Sequence, residues 1–527
     1  MSFTSWQYGF FLPMVMALYW VLPWRGRIGL LLASSYIFYG FWDVRFLALL
    51  LTSTAIDYSC GRAIARQRIA LKHVLLASCL PVAWLVGCKL WPGRGEAVTS
   101  WIIGAAGAFP ILFVSLYEVL WLMPEGRRSR AFLLLSIFNN LVVLGFFKYF
   151  NFFAASTLAG LARLGWQPDW TLPHIILPVA ISFYTFQSIA YTVEIYRGKV
   201  QPERNYLTFA AYLSFFPQLV AGPIERPAHL LPQFQKPAVW NVEHLHSGLR
   251  LILVGLFKKV FVADNCAMLA NHAFDPQTVL NAPWAILGVA AFAVQIYGDF
   301  SGYTDIARGS ARLLGIELMP NFRFPYFARG PSEFWQRWHM TLSSWFRDYI
   351  YIPLGGNRGG FGATLRNLWI TMLLAGLWHG ANWTFVLWGA YHAALLTMYR
   401  IVPGLRRLEE GQEGFNPRTI FAVAMMSIFT LGGWAIFRCA SLSQLTDWLT
   451  ALTRWDVADA LAWTKPALWL LLHGGMLFLL QCLTRKSRDE AELTHLPWVA
   501  RGIIYTLLLL GVASSVTKDQ EFIYFQF

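Results

Sequence analysis

The sequence predicts an all-α polytopic membrane protein, and three observations carry that expectation. The 527-residue chain is 57% hydrophobic and only 13% charged, against about 25% charged residues in a soluble globular protein. Runs such as HVLLASCLPVAWLVGCKLWP (73–92), SWIIGAAGAFPILFVSLYEVLWLM (100–123) and PALWLLLHGGMLFLLQCLT (466–484) have the roughly 20 residues that cross a hydrocarbon core as a helix. The basic residues alternate in the way a multi-pass chain requires. Loops 24–28, 62–72, 125–130 and 196–204 carry Arg25, Arg27, Arg62, Arg66, Arg68, Lys72, Arg127, Arg128, Arg130, Arg197, Lys199 and Arg204, while the loops between them carry Arg45, Arg94 and Arg163. Twelve against three places the first set in the cytoplasm and the N-terminus outside.

By the same counting, roughly a dozen or more spans are expected between residues 8 and 516. The first, GFFLPMVMALYWVL (9–22), has no basic residue before it and so does not read as a cleavable signal peptide. The net charge of +14 is spread over short loops between apolar runs and forms no single stripe, which argues against a nucleic-acid partner. Six cysteines, Cys60, Cys79, Cys88, Cys266, Cys439 and Cys482, show no C-x-x-C spacing and read as small buried hydrophobes, without a disulfide framework or zinc site.

To about residue 170 the chain offers apolar helices and basic loops. From 177 to 395 polar and ionisable groups enter the apolar stretches, among them Gln218, Asp299, Asp305, Arg308, His339 and His379. Such groups are costly at membrane depth and face a cavity or a protein partner. FPQLVAGPIERP (216–227) breaks an apolar segment with a Gly-Pro pair, and irregular backbone at that depth persists only inside protein or along a cavity. In QIYGDFSGYTDIARGSARLLGI (295–316), Asp305 and Arg308 are one turn apart and can neutralise each other. Asp299 and Asp305 are six apart, on different helix faces, which disfavours a metal site between them.

FWQRWHMTLSSWFRDYIYIPLGGNR (334–358) is the chain's most concentrated polar and aromatic stretch. At about 100° per residue, Phe334, Trp335, Trp338, Leu342, Trp345, Phe346 and Tyr349 share one arc, with Gln336, Arg337, Ser343, Ser344, Arg347 and Asp348 opposite. This pattern predicts one amphipathic helix lying along the membrane plane or lining a cavity, ended by the Pro and paired Gly of YIPLGGNR. His339 falls at the border of the two faces and can point to a buried pathway or to headgroups. In LLAGLWHGANWTFVLWGAYH (373–392), His379 sits among apolar residues between Gly376 and Gly380, which allow close approach of a backbone or a substrate. With a reference pKa of about 6.5 lowered by burial, it can serve as a neutral base; a core histidine bonded to a carbonyl is the alternative. His392 reads as packing. After residue 400 come a polar loop (406–418) and apolar segments near 419–437, 466–484 and 499–516.

These motifs together resemble the membrane-bound O-acyltransferase family, in particular its bacterial branch typified by the membrane subunit of alginate O-acetylation. The resemblance rests on LPVAISFYTFQSIAYTVEIYRG (177–198), FFPQLVAGPIERP (215–227), DFSGYTDIARGSARLLGI (299–316), NFRFPYFARGPSEFWQRWHMTLSSWFRDYIYIPLGGNR (321–358), GLWHGANWTFVLWGAYH (376–392) and FIYFQF (522–527). It implies a single domain over 1–527, a multi-helix bundle around a central tunnel with amphipathic and re-entrant helices, and a catalytic core at 177–395. Residues 67–126 then read as an insertion of two extra transmembrane helices.

Carried onto this sequence, the resemblance makes His379 the catalytic residue and His339 the second family histidine. Gln218, Gly222, Pro223, Asp299, Trp335, Arg337, Trp338, Arg347, Trp378 and Asn382 become candidate tunnel residues, with no metal. It further implies a bacterial inner-membrane location, no bound cofactor, and an acyl thioester such as acetyl-CoA or an acyl carrier as donor. An exported polysaccharide is the expected acceptor, reached through an extracytoplasmic SGNH-hydrolase-like partner, with membrane lipid around the chain. D-alanyl or other acyl transfer to teichoic acid, lipid or protein is the rival within the family. A transporter or flippase, or an envelope scaffold, is the rival outside it.

Overall fold

The computed structural model describes residues 1–90, 100–166, 175–220, 222–410, 416–455, 460–485, 487, 491–515 and 522–523. Every regular element among them is helical, as the composition requires. Among the described residues, seven helices are long and apolar enough to cross a membrane, or eight if the bent pair Trp383–Ile401 and Pro403–Glu409 counts as one span. The chain is a multi-pass membrane protein. Fewer helices meet that length and composition than the dozen or more spans expected, because several apolar runs form shorter or more polar helices: Trp6–Val21 and Ile181–Tyr196 have 16 residues each, and Leu47–Ile64 carries Asp57 and Arg62.

The chain divides into two compact units, residues 1–244 with 311–318 and residues 245–310 with 319–527. In the first, the region 67–126 forms two apolar helices, Leu71–Leu90 and Ser100–Trp121; Arg94 lies outside the described residues. Helices Leu47–Ile64, Glu125–Leu144 and Ile181–Tyr196 are joined by buried polar contacts. The Asp57 carboxylate accepts from Ser136 Oγ at 2.6 Å and Asn140 Nδ2 at 3.0 Å, and Ser136 Oγ also lies 3.0 Å from Thr192 Oγ1. Hydrogen bonds of this kind hold helices together where water is absent.

The break expected at 216–227 is present. A four-residue helix, Phe216–Leu219, gives way to non-helical backbone at 222–226 before helix Pro227–Phe234. Residue 221 lies outside the described set.

The second unit is built on residues 282–310 of the long helix Ala282–Leu313 and the antiparallel pair Phe361–His379 and Trp383–Ile401. These last two come together at glycines. A Cβ on Gly376 would meet the Phe385 carbonyl oxygen, and one on Gly389 the Met372 carbonyl oxygen. The close approach expected next to His379 is therefore made by backbone. The expected polar loop at 406–418 begins as helix, Pro403–Glu409, and residues 411–415 lie outside the described set.

Candidate functional site

The stretch 334–349 is not one amphipathic helix. Helix Pro331–Arg337 stops, His339 takes a left-handed backbone at φ 42°, helix Met340–Phe346 starts afresh, and a wider π-type turn follows at Arg347–Tyr351. Helix ends leave backbone groups unpaired, and here the extended segment from Asn321 supplies the partners. Met340 N donates to Asn321 O at 2.8 Å, Arg323 N donates to Arg337 O at 2.9 Å, and Thr341 Oγ1 donates to Asn321 Oδ1 at 2.6 Å. A left-handed non-glycine residue costs about 1–3 kcal/mol and persists only where its surroundings enforce it.

That turn sends the His339 imidazole inward. The residue is fully buried, away from headgroups, and neither ring nitrogen bonds another residue among those described. Its ring packs edge-on against Phe300 at 4.7 Å and lies 5.8 Å from Trp378. Burial pushes its pKa down to about 3, so the ring is neutral at physiological pH. His379, the last residue of helix Phe361–His379, is 4% exposed and surrounded by Trp378, Trp388 and Phe437 at 5.1, 4.9 and 5.4 Å between ring centres. The two histidine rings are 6.5 Å apart. His392 packs edge-on against Trp335 and Trp388 at 5.0 and 4.6 Å, which matches its reading as packing.

Other expected site residues occupy varied places. Trp378 packs beside both histidines, its ring 5.8 Å from His339 and 5.1 Å from His379. Trp338 is buried in a stack with Phe322, Phe334 and Trp434. Arg337 donates to Glu333 at 2.5 Å and lines a polar cavity of about 640 Å³ shared with Arg323, Arg329 and Glu409. Burial by itself would raise the Glu333 carboxyl, but Arg329 and Arg337 outweigh it and hold the group below the usual carboxylate range. Trp335 and Arg347 line a smaller apolar groove of about 160 Å³ with Phe346 and Met372; Arg347 is largely exposed and paired with Asp348 at 2.8 Å. Neither histidine lines either cavity.

Asn382 caps helix Trp383–Ile401, accepting from Thr384 N at 3.2 Å, and its Nδ2 donates to Ala440 O at 2.8 Å. Gln218, Gly222 and Pro223 are buried in the first unit. There Gln218 Nε2 donates to Gln187 Oε1 at 2.5 Å, and a Cβ on Gly222 would fall 2.5 Å from Gln218 Cα.

Asp299 is held at 2.9 Å by Lys259, which also meets Asp264 at 2.7 Å, while Asp305 takes Lys258 at 2.8 Å and Arg308 at 3.6 Å. The expected Asp305–Arg308 pair is present. Sequence reasoning missed both lysines and the aromatic box of Phe300, Trp388 and Phe437. The adjacent lysines inside the apolar run LILVGLFKKVFVADN (251–265) were the available signal, since cations at such depth imply buried carboxylate partners.

Residues 203–442 match the sequence profile of MBOAT, the membrane-bound O-acyltransferase family. The chain is 35% identical to the probable alginate O-acetylase AlgI of Pseudomonas putida over 542 aligned positions, which take in 98% of each chain. It belongs to the membrane-bound O-acyltransferase family. Another relative, the probable alginate O-acetylase AlgI of Pseudomonas aeruginosa, is 37% identical over 456 positions, covering 85% of this chain and 74% of that one. The peptidoglycan O-acetyltransferase of Helicobacter pylori is 36% identical over 342 positions, 60% of this chain and 63% of the relative. As a member of this family the protein is an O-acyltransferase, and both buried histidines lie within the matched residues.

Proposed function

We propose that this membrane-bound O-acyltransferase carries an acetyl group from a cytoplasmic thioester, acetyl-CoA or an acyl carrier, across the bacterial inner membrane for O-acetylation of an exported envelope polysaccharide. One observation carries the reading: two buried histidines, 6.5 Å apart between ring centres, in an aromatic enclosure. At that separation one hydroxyl oxygen can hydrogen-bond a nitrogen on each ring. His379 takes the hydroxyl proton as the oxygen attacks the thioester carbonyl. The C–S bond breaks, and the departing thiolate recovers the proton. General-base assistance of this kind is worth about 10²–10⁴-fold. His339, neutral and enclosed, orients the hydroxyl or the acyl group.

The polysaccharide acceptor is suggested by the relatives' names, alginate O-acetylase and peptidoglycan O-acetyltransferase. An extracytoplasmic SGNH-hydrolase-like protein completes the delivery in this reading. The test is the O-acetyl content of exported polysaccharide in cells carrying His379→Ala, with membrane levels of the variant measured in parallel. Loss of acetylation at normal protein level is expected. Retained acetylation sinks the general-base role and favours a transport function.

A further inference from the structure

We infer that residues 522–523 are seated in a buried receptor formed by Lys259, Asp299 and Tyr303, and that this seat positions His339 through Phe300. The positioning role rests on the reading of His339 given above. Asp299 Oδ2 accepts a hydrogen bond from the Ile523 backbone N–H at 2.7 Å. The Phe522 ring stacks on Tyr303 at 4.1 Å between centres, inclined by 26°. Phe522 and Ile523 are each 1% exposed.

Asp299 is fixed on its other side by Lys259, whose ammonium also lies 5.9 Å from the centre of the Tyr303 ring. Lys258, Lys259 and Arg308 face Asp264, Asp299 and Asp305, three cations against three carboxylates. Breaking a buried ion pair by removing one partner is strongly destabilising, so the Lys259 contact holds the Asp299 carboxylate in place.

Phe300, the residue next to Asp299, touches both ends of the arrangement. Its ring centre is 6.2 Å from Phe522 and 4.7 Å from His339. A ring that meets His339 only by packing controls its orientation strongly, since no hydrogen bond to another described residue fixes the imidazole. Asp299, Phe522 and Phe300 are therefore positioning residues. Asp299, a candidate tunnel residue in the sequence reading, holds this segment by its backbone.

The test uses the full chain in detergent micelles, with Ile523→Cys introduced over Cys79→Ser and Cys482→Ser, the other four cysteines being buried. Maleimide labelling at position 523 is expected to be slow, and to accelerate at least about tenfold, the scale of a single lost anchoring contact, when Asp299→Ala or Phe522→Ala is added. Turnover of the same two substitutions, made in the otherwise unaltered chain, is expected to fall roughly 10- to 100-fold in kcat with KM for the thioester donor unchanged, as for a displaced catalytic group. Phe522→Tyr, which keeps the ring, is expected to restore both readouts. Phe522→Ala strands no charge and keeps the test informative if Asp299→Ala does not fold. Labelling that is equally fast with and without the substitutions overturns the seat. A released segment with unchanged kcat, or a loss carried by KM, overturns the positioning role. The labelling readout involves no chemistry at His379, so it stands or falls apart from the proposed mechanism.

Discussion

Two unfavourable conditions meet at His339, a φ of 42° and complete burial. Asparagine tolerates the left-handed conformation far better than most residues, so His339→Asn separates backbone strain from imidazole chemistry. The variant is expected to reach the membrane at normal level and lose acyl transfer by about 10²-fold or more; near-normal transfer would remove His339 from the reaction. The same substitution reads out the ionisation. Burial lowers the folded pKa from 6.5 to about 3, so the folded state refuses a proton that the unfolded state binds. Stability from this group is intact above pH 6.5 and is lost as pH falls from there toward 3. Thermal unfolding between pH 6.5 and 4 is expected to drop more steeply for the wild type than for His339→Asn, and parallel curves would contradict a buried neutral imidazole.

Helices Phe361–His379 and Trp383–Ile401 place the second histidine by letting their backbones nearly touch at Gly376 and Gly389. Gly389→Val puts side-chain carbons against the Met372 carbonyl and forces the pair apart. Overpacking of this kind costs about 1–3 kcal/mol, and the expected outcome is a lower unfolding temperature together with lost transfer, because His379 ends one of the two helices. A variant with unchanged stability would mean that the pair can separate without strain. The glycines around His379 were legible in the sequence because small residues in an apolar helix have a local meaning. The break at His339 was not. A helical wheel assumes continuity, and every residue of 334–349 is compatible with helix on its own. What stops the helix is Asn321 and Arg323, which supply bonding partners from a separate segment, and no periodicity encodes that. The lysine–carboxylate group was half legible: the Asp305–Arg308 pair follows from spacing along one helix, while Lys258 and Lys259 reach their partners from another element.

At the scale of the molecule, the distribution of basic loops gives an orientation that the first unit can be asked about directly. Loops 62–72, 125–130 and 196–204 were assigned to one side from charge alone, and contacts inside that unit bring them to one end. Arg66 pairs with Glu125 at 2.8 Å, Arg68 with Glu118 at 2.5 Å, and Tyr58 Oη donates to the Arg204 carbonyl at 2.6 Å. Two helices, Leu71–Leu90 and Ser100–Trp121, leave and return between the first two of these loops, so their presence preserves the alternation downstream. The basic excess predicts that this end faces the cytoplasm. In intact cells a membrane-impermeant maleimide is therefore expected to label Leu164→Cys, in the turn after helix Phe150–Arg163, and to spare Lys199→Cys until the membrane is opened, both in a background carrying Cys79→Ser and Cys482→Ser. Both positions are exposed, so failure to label reflects sidedness and not burial. The reverse pattern would invert the chain and place the donor side of the proposed reaction outside the cell, where an acyl thioester is not supplied.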